Sequence, residues 1–588
     1  MNSGFDPAVI SDTQYAMGIN IVSRRGRPST RPDFRLVELT FDNDEDKAIF
    51  ETGKFQGSGI YKPGLSRYTV VLINGWVFLV DLINKTAKRF SNVPQMNTRV
   101  NRGFFCQVMK YFIVQDGINR PIIVSGFSAR QSKAEDDEVP AGTTMAFGHG
   151  RLFVKISKSN FIAGDIFKVR LEDSALKFRE NTYLSEGGAF NVPAELGAIT
   201  ALHFSTTFDT STGDGPLLVL CDNGAVSYAV QNSRTLWNQN DISKVQMKGQ
   251  GVVGAMAMTD INQDLMFWSW GGLRSWAAVK QEALYRRKYT NQSAELAALT
   301  PQQTGFLLPM MSVIQLNNRL LFTLIGEKAE CITDAEWDDQ EKTYSDYAYK
   351  CIGAMDFDQI NNRSKVNGKE SVQSAAYDGI WTGIHPMQLM AVDIGSTDRA
   401  FAFDKSRSGK NRLWEITDEY TGLDNYTSQI EAELHTRSYV GETVQQSEQP
   451  FVLKRLETMR IWLANMRDNV SITLGVKNDS TSIYTDIQTR EIPVKTWTRD
   501  FTTKEVHVGT SQNRSALPFE DFEELDSPVN NKMVYSGYEL SFRFAWRGYA
   551  ELSRMVAEMT TQGTDKHEEE ESEVLVAEIP DDNYKYRV

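Results

Sequence analysis

Apolar and polar positions alternate in short bursts along most of this chain, and turn residues punctuate the bursts. Arg67–Ile73 (RYTVVLI) and Trp76–Leu82 (WVFLVDL) are β-branched and aromatic runs joined by Asn74-Gly75. Both central positions of a two-residue hairpin turn need positive φ, so Asn-Gly between two such runs predicts a hairpin. The theme recurs around Asp116-Gly117, Gly148-His149-Gly150, Asp222-Asn223-Gly224, Gly271-Gly272, Asn317-Asn318 and Asp378-Gly379. Seven candidate hairpins therefore lie between Arg67 and Gly383, with turn-to-turn gaps of roughly 35–75 residues. Regular short strands with turn signals predict a sandwich, barrel or propeller. About half of the gaps fall near 40–50 residues, which favours a β-propeller with blades of about four strands each.

Two stretches break the rhythm. Tyr285–Ala298 has a helical look, and Glu327–Lys350 reads as an acidic loop inserted at a blade edge. After Asp424 the character changes. Gln429–Thr436, Leu456–Ala464, Val470–Val476 and Tyr538–Trp546 predict the strands of a separate antiparallel β domain. The expected layout is an N-terminal arm and first strand at 1–50 and a propeller at 51–424, with inserted loops near 278–310 and 326–350. The antiparallel domain follows at 425–560, and an acidic tail at 561–588. Within that tail, Glu568–Glu571 and Glu573 read as a solvated charge block, and the VLVAEI run after them as a strand able to join a partner's edge. Arg24, Arg25, Arg27 and Arg31 give the first 35 residues the look of a basic arm or a flexible terminus.

The 588 residues carry 63 Lys+Arg against 76 Asp+Glu, a net charge of −13. Such a balance argues against a dedicated nucleic-acid binder, which normally presents a basic face. No apolar run approaches the ~18 residues of a membrane helix, and MNSGFDPAVISDTQY lacks the basic start and apolar stretch of a signal peptide. Four cysteines (Cys106, Cys221, Cys331, Cys351) are too few and too dispersed for a disulfide scaffold or a zinc cluster. Free thiols are expected, and a Cys331–Cys351 bridge across the acidic insertion is not.

Catalytic signatures are weak. There is no Walker loop, nucleophile elbow or H-E-x-x-H. Asp42-x-Asp44-x-Asp46 opens like a calcium loop, but Lys47 replaces the required glycine, which leaves a solvated acidic turn as the expectation. His149 reads as a turn residue. A propeller glycosidase needs carboxylates converging on a central pocket. Asp116, Asp165, Asp222, Asp378 and Asp393 are the candidates, most of them at turn positions where Asp serves the backbone. Trp268, Trp270 and Trp276 surround one hairpin. Trp268 and Trp270, two apart, are expected on one strand face, as a sugar-stacking platform or as core packing, with Trp381 a further stacking candidate. No catalytic, cofactor-binding or metal-ligating residue is assigned, and no cofactor is expected.

Three segments together carry a resemblance. They are Val114-Gln115-Asp116-Gly117-Ile118-Asn119-Arg120-Pro121-Ile122-Ile123; Gly148-His149-Gly150-Arg151-Leu152-Phe153-Val154 followed by Ala163-Gly164-Asp165-Ile166; and Lys454-Arg455-Leu456 with Arg460-Ile461-Trp462, Tyr538-Glu539-Leu540 and Trp546-Arg547-Gly548-Tyr549-Ala550. Their order resembles the nozzle proteins of short-tailed bacteriophages, the tail tubular protein B family, over most of the chain. The resemblance implies a non-enzymatic virion protein made in the bacterial cytoplasm. It implies a β-propeller beside a β-rich platform, and a homo-oligomer, six copies forming a ring below the tail adaptor. Fibres or spikes would dock outside, and viral DNA would pass through the lumen without specific binding. A net-acidic lumen would let the duplex slide, since a basic one binds it by counterion release. Glu327–Lys350 and Gln488–Ser527 are the candidate constriction loops. The alternatives are a receptor- or glycan-binding propeller at a tail tip and a propeller glycoside hydrolase.

Overall fold

The computed structural model describes residues 7, 14–23, 26–180, 189–206, 213–231, 234–237, 242–279, 308–324, 348–360, 365–366, 369–370, 375–395, 397–406, 408–440, 453–492, 504–508, 536–562 and 574–578. The protein is mainly β, with 55% strand and 7% helix, built from many antiparallel sheets, and among the described residues no sheet closes on itself as a barrel. The Tyr285–Ala298 segment, Cys331, almost all of the acidic insertion and the glutamate block of the tail lie outside the described residues.

Seven small meanders follow one another. The first sheet is Phe55–Tyr61, Tyr68–Ile73, Trp76–Asp81 and Thr86–Arg89, with Thr40–Phe41 added in parallel at its outer edge. The second runs from Phe104–Val108 to Ser128–Gln131 and the third from Met145–Gly148 to Ala189–Asn191. The fourth runs from Ile199–Thr206 to Ser243–Lys248, and the fifth from Met258–Ile261 to Gly272–Ser275. The sixth comprises Val313–Leu316, Arg319–Leu324, Cys351–Ile360 and Ala375–Trp381. The seventh is Pro386–Ile394, Thr397–Lys405 and Asn411–Ile416, completed by Phe34–Leu36 from the other end of the chain.

Each sheet shares a hydrophobic core with the next. Val70 and Leu72 pack with Phe112 and Val114, whereas Ile113 and Ile123 pack with Leu152 and Val154. Phe153 and Phe161 meet Leu217 and Val219, and Leu218 and Leu220 meet Leu265 and Phe267. Met266 and Trp268 meet Leu320 and Phe322, and Leu321 and Ile352 meet Leu389 and Ala400. Finally Met390, Phe401 and Phe403 return to Val71 and Phe78 of the first sheet. Successive side chains of a strand point to opposite faces. A run such as Val70-Val71-Leu72-Ile73 is apolar throughout because both of its faces are covered.

The expected hairpins at Asn74-Gly75, Asp116-Gly117, Gly148–Gly150, Asp222–Gly224, Gly271-Gly272 and Asn317-Asn318 are all present. Asn74 (φ 48°) and Gly75 (φ 72°) both occupy the left-handed region that this turn demands. The seventh expectation is corrected. Asp378-Gly379 is no turn but the interior of the single strand Ala375–Trp381.

The four strands expected after Asp424 form as Glu431–Val440, Leu453–Ala464, Val470–Asn478 and Glu539–Arg547. They belong to two facing sheets. Glu431–Val440, Glu539–Arg547, Val470–Asn478 and Thr485–Ile492 make one; Leu453–Ala464 and Glu551–Gln562 are the centre of the other. Leu434, Ile472, Leu474, Phe544 and Trp546 fill the space between them with Ile461, Met555 and Met559. Val574–Glu578 from the VLVAEI run pairs antiparallel with Val556–Thr560 of its own chain. Asp44–Thr52 is a helix, not a free acidic turn. Asn43 caps it through a 2.8 Å bond from the Asp46 amide, and Asp44, Glu45 and Asp46 occupy the first turn, where negative charge is favourable.

Candidate functional site: the N-terminal junction

The segment Tyr15–Leu36 joins the two β regions. Strand Met17–Ile19 lies between Ala375–Trp381, to which it runs parallel, and Glu431–Val440, to which it runs antiparallel. It thereby fuses the sixth meander and one sheet of the sandwich into a single nine-stranded sheet. Two glycines permit the close approach. A Cβ on Gly379 would stand 2.5 Å from the Gly18 carbonyl oxygen, and one on Gly18 would stand 2.7 Å from Ile21 Cδ1. Gly379 also has φ 149°. That contact, rather than a turn, is the physical reason for glycine after Asp378.

Asn20, at φ 55°, reverses the chain and bonds three segments at once. Its amide donates to Thr382 Oγ1 (2.8 Å) and to the Glu431 carbonyl (2.7 Å). Its oxygen accepts from the Thr382 amide (2.6 Å) and from Arg31 Nε (3.0 Å). Arg31 is 1% exposed. Its Nη2 and Nη1 reach Asp424 at 2.6 and 2.9 Å and also donate to the carbonyls of Thr382 and Pro32, while its Cζ lies 3.7 Å from the Phe34 ring centroid. The expectation of a basic arm therefore fails for Arg31, because the carboxylate that neutralises it arrives from far along the chain. Asp33 accepts from the amides of Thr421 and Gly422 and from Thr421 Oγ1 (2.6 Å), and it pairs with Arg35 at 2.9 Å.

A second buried group sits beside the first. Arg319 Nε lies 3.4 Å from both Asp356 Oδ2 and Asp378 Oδ2, and both carboxylates are fully buried. Ser23 covers Asp378 with its amide (3.0 Å) and hydroxyl (2.8 Å). Burial pushes the Asp378 carboxyl up, as does Asp356, while Arg319 and Ser23 pull it back. The pair has the composition of a hydrolytic dyad, but the N-terminal segment covers it. The other aspartate candidates are occupied where they stand. Asp116 accepts from the amides of Ile118 and Asn119 within its own turn, Asp165 from the Glu180 amide and Asp222 from the Ala198 amide. Asp393 is held well below the ordinary carboxylate range by Arg67 and by Lys62, at 2.9 and 2.6 Å. The five aspartates belong to five different sheets, and none is brought to another.

The tryptophan expectation is also corrected. Trp268 (1% exposed) and Trp276 are core residues, as the packing alternative has it, whereas Trp270 sits in the turn after the strand and is exposed, so Trp268 and Trp270 do not share a strand face. Trp381 is fully buried and donates through Nε1 to the Ile21 carbonyl at 3.2 Å. Sugar stacking needs an open ring face, which neither Trp268 nor Trp381 has. His149 is a turn residue at φ 49°, with Nε2 2.9 Å from the Gly215 carbonyl.

Sequence reading gave no hint of Arg102. This buried residue precedes the second sheet, yet its guanidinium donates to the Met310 carbonyl, ahead of the sixth sheet, and touches Met256 Sδ, ahead of the fifth. Cys106, Cys221 and Cys351 are free thiols, and burial pushes each up to about 12. Among the described residues no group of His, Cys, Asp and Glu could hold a metal ion, and no helix is long and apolar enough to cross a membrane.

No protein-family model matches the chain, and no curated protein matches it by sequence. Among solved structures, the computationally designed Ika8 protein is similar at 8% identity with a TM-score of 0.30, covering 66% of this chain and 100% of its own. A TM-score that low carries no argument about fold or function.

Proposed function

We propose that the seven meanders form a seven-bladed β-propeller and that the chain is a structural subunit of a virion, the nozzle ring of a short phage tail. The propeller reading is supported by the cycle of shared cores, in which the seventh sheet packs back on the first, and by Phe34–Leu36 completing the seventh sheet. Joining the last blade to a strand from early in the chain resists opening of a ring, because the seventh blade cannot leave that strand without breaking a sheet.

The observation that carries the structural role is the N-terminal strand. Met17–Ile19 makes the propeller and the sandwich share one sheet, which suits a body that transmits load. Arg102, reaching from before the second blade to the fifth and sixth, crosses the centre of such a propeller. DNA would then pass through the lumen of a ring of copies, not through the propeller itself. The same crossing, together with the enclosed Trp268, Trp381 and Asp378, weighs against the glycan-binding and hydrolase readings. In the nozzle reading six copies continue the channel below the tail adaptor, and fibres or spikes dock outside.

Mass photometry of the purified full chain, alone and with adaptor rings, followed by negative-stain imaging, tests this. Six-fold rings with a central hole are expected, either spontaneously or on the adaptor. A chain that stays monomeric with adaptor present, and retains a glycan on an array, would overturn the reading.

A further inference from the structure

The turns at one end of the first three sheets form a single rim. In the first sheet Tyr61 pairs with Tyr68 and Tyr68 with Asp81, so turns 62–67 and 82–85 lie side by side. In the second, Val108 pairs with Tyr111, Tyr111 with Ser125 and Ser125 with Ser128, which places turns 109–110 and 126–127 together. In the third, the Phe167 amide donates to the Gly150 carbonyl at 2.7 Å, so the loop after Ala163 lies over the first turn of that sheet. The sheets meet at this end. Tyr61 Oη donates to the Lys110 carbonyl (3.0 Å) and accepts from the Gly126 amide (2.6 Å). Tyr68 and Phe127 stack edge to face at 5.5 Å, and Tyr111 Oη bonds Asp173.

The tips of these turns are apolar and face solvent. Leu65 is 98% exposed, Val169 81% and Phe127 70%, with Ile83, Leu171 and Met109 beside them. Scattered exposed hydrophobics are normal, but several large ones at the tips of neighbouring turns are not. Cations stand between them. Lys62, Arg67, Lys85, Lys110, Lys168 and Arg170 occupy these turns against Asp165, Asp173 and Asp81, which accepts from the Ile83 and Asn84 amides, with Asp393 reaching in from the seventh sheet onto Lys62 and Arg67. In a chain of net charge −13, this rim carries an excess of positive charge.

We propose that this rim docks on an anionic lipid surface. The isolated apolar tips would enter the headgroup–acyl boundary, and the lysines and arginines would meet the lipid phosphates. Insertion of large side chains combined with attraction to anionic lipids is the two-signal arrangement that gives stable peripheral binding. A flat, continuous apolar patch would instead fit a protein partner, and here charged residues interrupt the apolar ones. The assignment stands on the rim itself and does not depend on the nozzle reading.

The full chain is mixed with sedimentable vesicles of phosphatidylglycerol and phosphatidylethanolamine, and separately with vesicles of phosphatidylcholine. Binding to the anionic vesicles that weakens with added salt is expected. The triple variant Leu65→Ser, Phe127→Ser, Val169→Ser should bind at least about tenfold more weakly, because three side chains no longer leave water. The pair Lys168→Glu, Arg170→Glu should weaken anionic binding several-fold with the apolar tips intact. All five positions are exposed, so circular dichroism should match the parent, and melting should fall only by the loss of the Phe127–Tyr68 edge-to-face contact. No sedimentation with anionic vesicles overturns the proposal, as does binding that both variants leave unchanged. If the parent ignores vesicles while the triple variant loses self-association or adaptor binding, the rim is a protein interface and the lipid assignment falls.

Discussion

Replacing Arg31 with Met should separate the melting of the two β regions. Arg31 is 1% exposed and makes a two-pronged ion pair with Asp424, and its remaining hydrogens go to Asn20, Thr382 and Pro32. Methionine preserves much of the side-chain volume but removes every donor. It leaves the mostly buried Asp424 with only the Phe34 amide (2.8 Å) of these bonds. Removing one partner of a buried, hydrogen-bonded ion pair costs about 3–5 kcal/mol, most of it the penalty for the stranded charge. At about 2–4 °C per kcal/mol for a unit of 150–250 residues, the affected transition should fall by roughly 6–20 °C. Differential scanning calorimetry should show that shift and resolve it into a step apart from the main one. Asp424→Asn alone should cost less, since an amide still accepts from Arg31. Combining it with Arg31→Met should recover part of the loss, giving a coupling on the order of 1–3 kcal/mol. A variant Arg31→Met that melts in one step at the parent temperature would refute the view that this pair couples the regions.

Other outcomes follow from the same geometry. Gly379→Val should abolish accumulation of folded protein, read by soluble yield and proteolysis, since its Cβ would lie 2.5 Å from the Gly18 oxygen; Gly64→Ala, with open space at its Cβ and φ +70°, should cost only about 1 kcal/mol. For Glu138, burial pushes the carboxyl up, but the Arg130 fork, the Lys133 amide and Lys177 outweigh it and hold the group at about 2. A lowered folded pKa stabilises above the unfolded value and loses that contribution as pH falls from there towards about 2, so Glu138→Gln should flatten the acid limb of stability between those limits in pH-dependent urea titrations. Arg102→Met should cost about 1–3 kcal/mol by leaving the Met310 carbonyl without this donor, and hydrogen exchange should rise at the starts of the fifth and sixth sheets together; a rise confined to the second sheet would contradict the crossing.

The part of the fold readable from sequence is the part set by nearest neighbours. Six turn signals worked because Asn-Gly, Gly-His-Gly and Asn-Asn fix local φ values whatever the rest of the chain does. Asp378-Gly379 carries the same signal, but its glycine answers to Gly18, about 360 positions away, and no local pattern encodes that. Pro386–Ile394 and Thr397–Lys405 went unread as a hairpin although Gly395, at φ 67°, marks their turn. Arg31 shows the complementary failure. Composition registers its charge and its arginine neighbours, whereas its burial depends on Asp424, 393 residues later. Spacing placed Trp268 and Trp270 on one face, yet the strand ends at Ser269, so the period of two stops one residue short. Arg102 had no signal at all, since its acceptor is a backbone carbonyl, a group every residue has.

The placement of the N-terminal segment sets a timetable for synthesis. Residues 17–36 leave the ribosome well before the strands they join, Ala375–Trp381, Asn411–Ile416 and Glu431–Val440, which are made about 360–410 residues later. At about 5–20 residues per second that is a wait of roughly 20–80 s. During it Met17–Ile19 and Phe34–Leu36 have no partner strand, and the seventh sheet cannot be completed before its closing strand finds Asn411–Ile416. Contacts of such sequence separation make folding slow and leave apolar edges open to other chains. Moving residues 14–36 to follow the last strand by circular permutation would remove the wait while keeping every contact. Yield at high expression temperature would then report how much of the chain's folding difficulty is a matter of order rather than of stability.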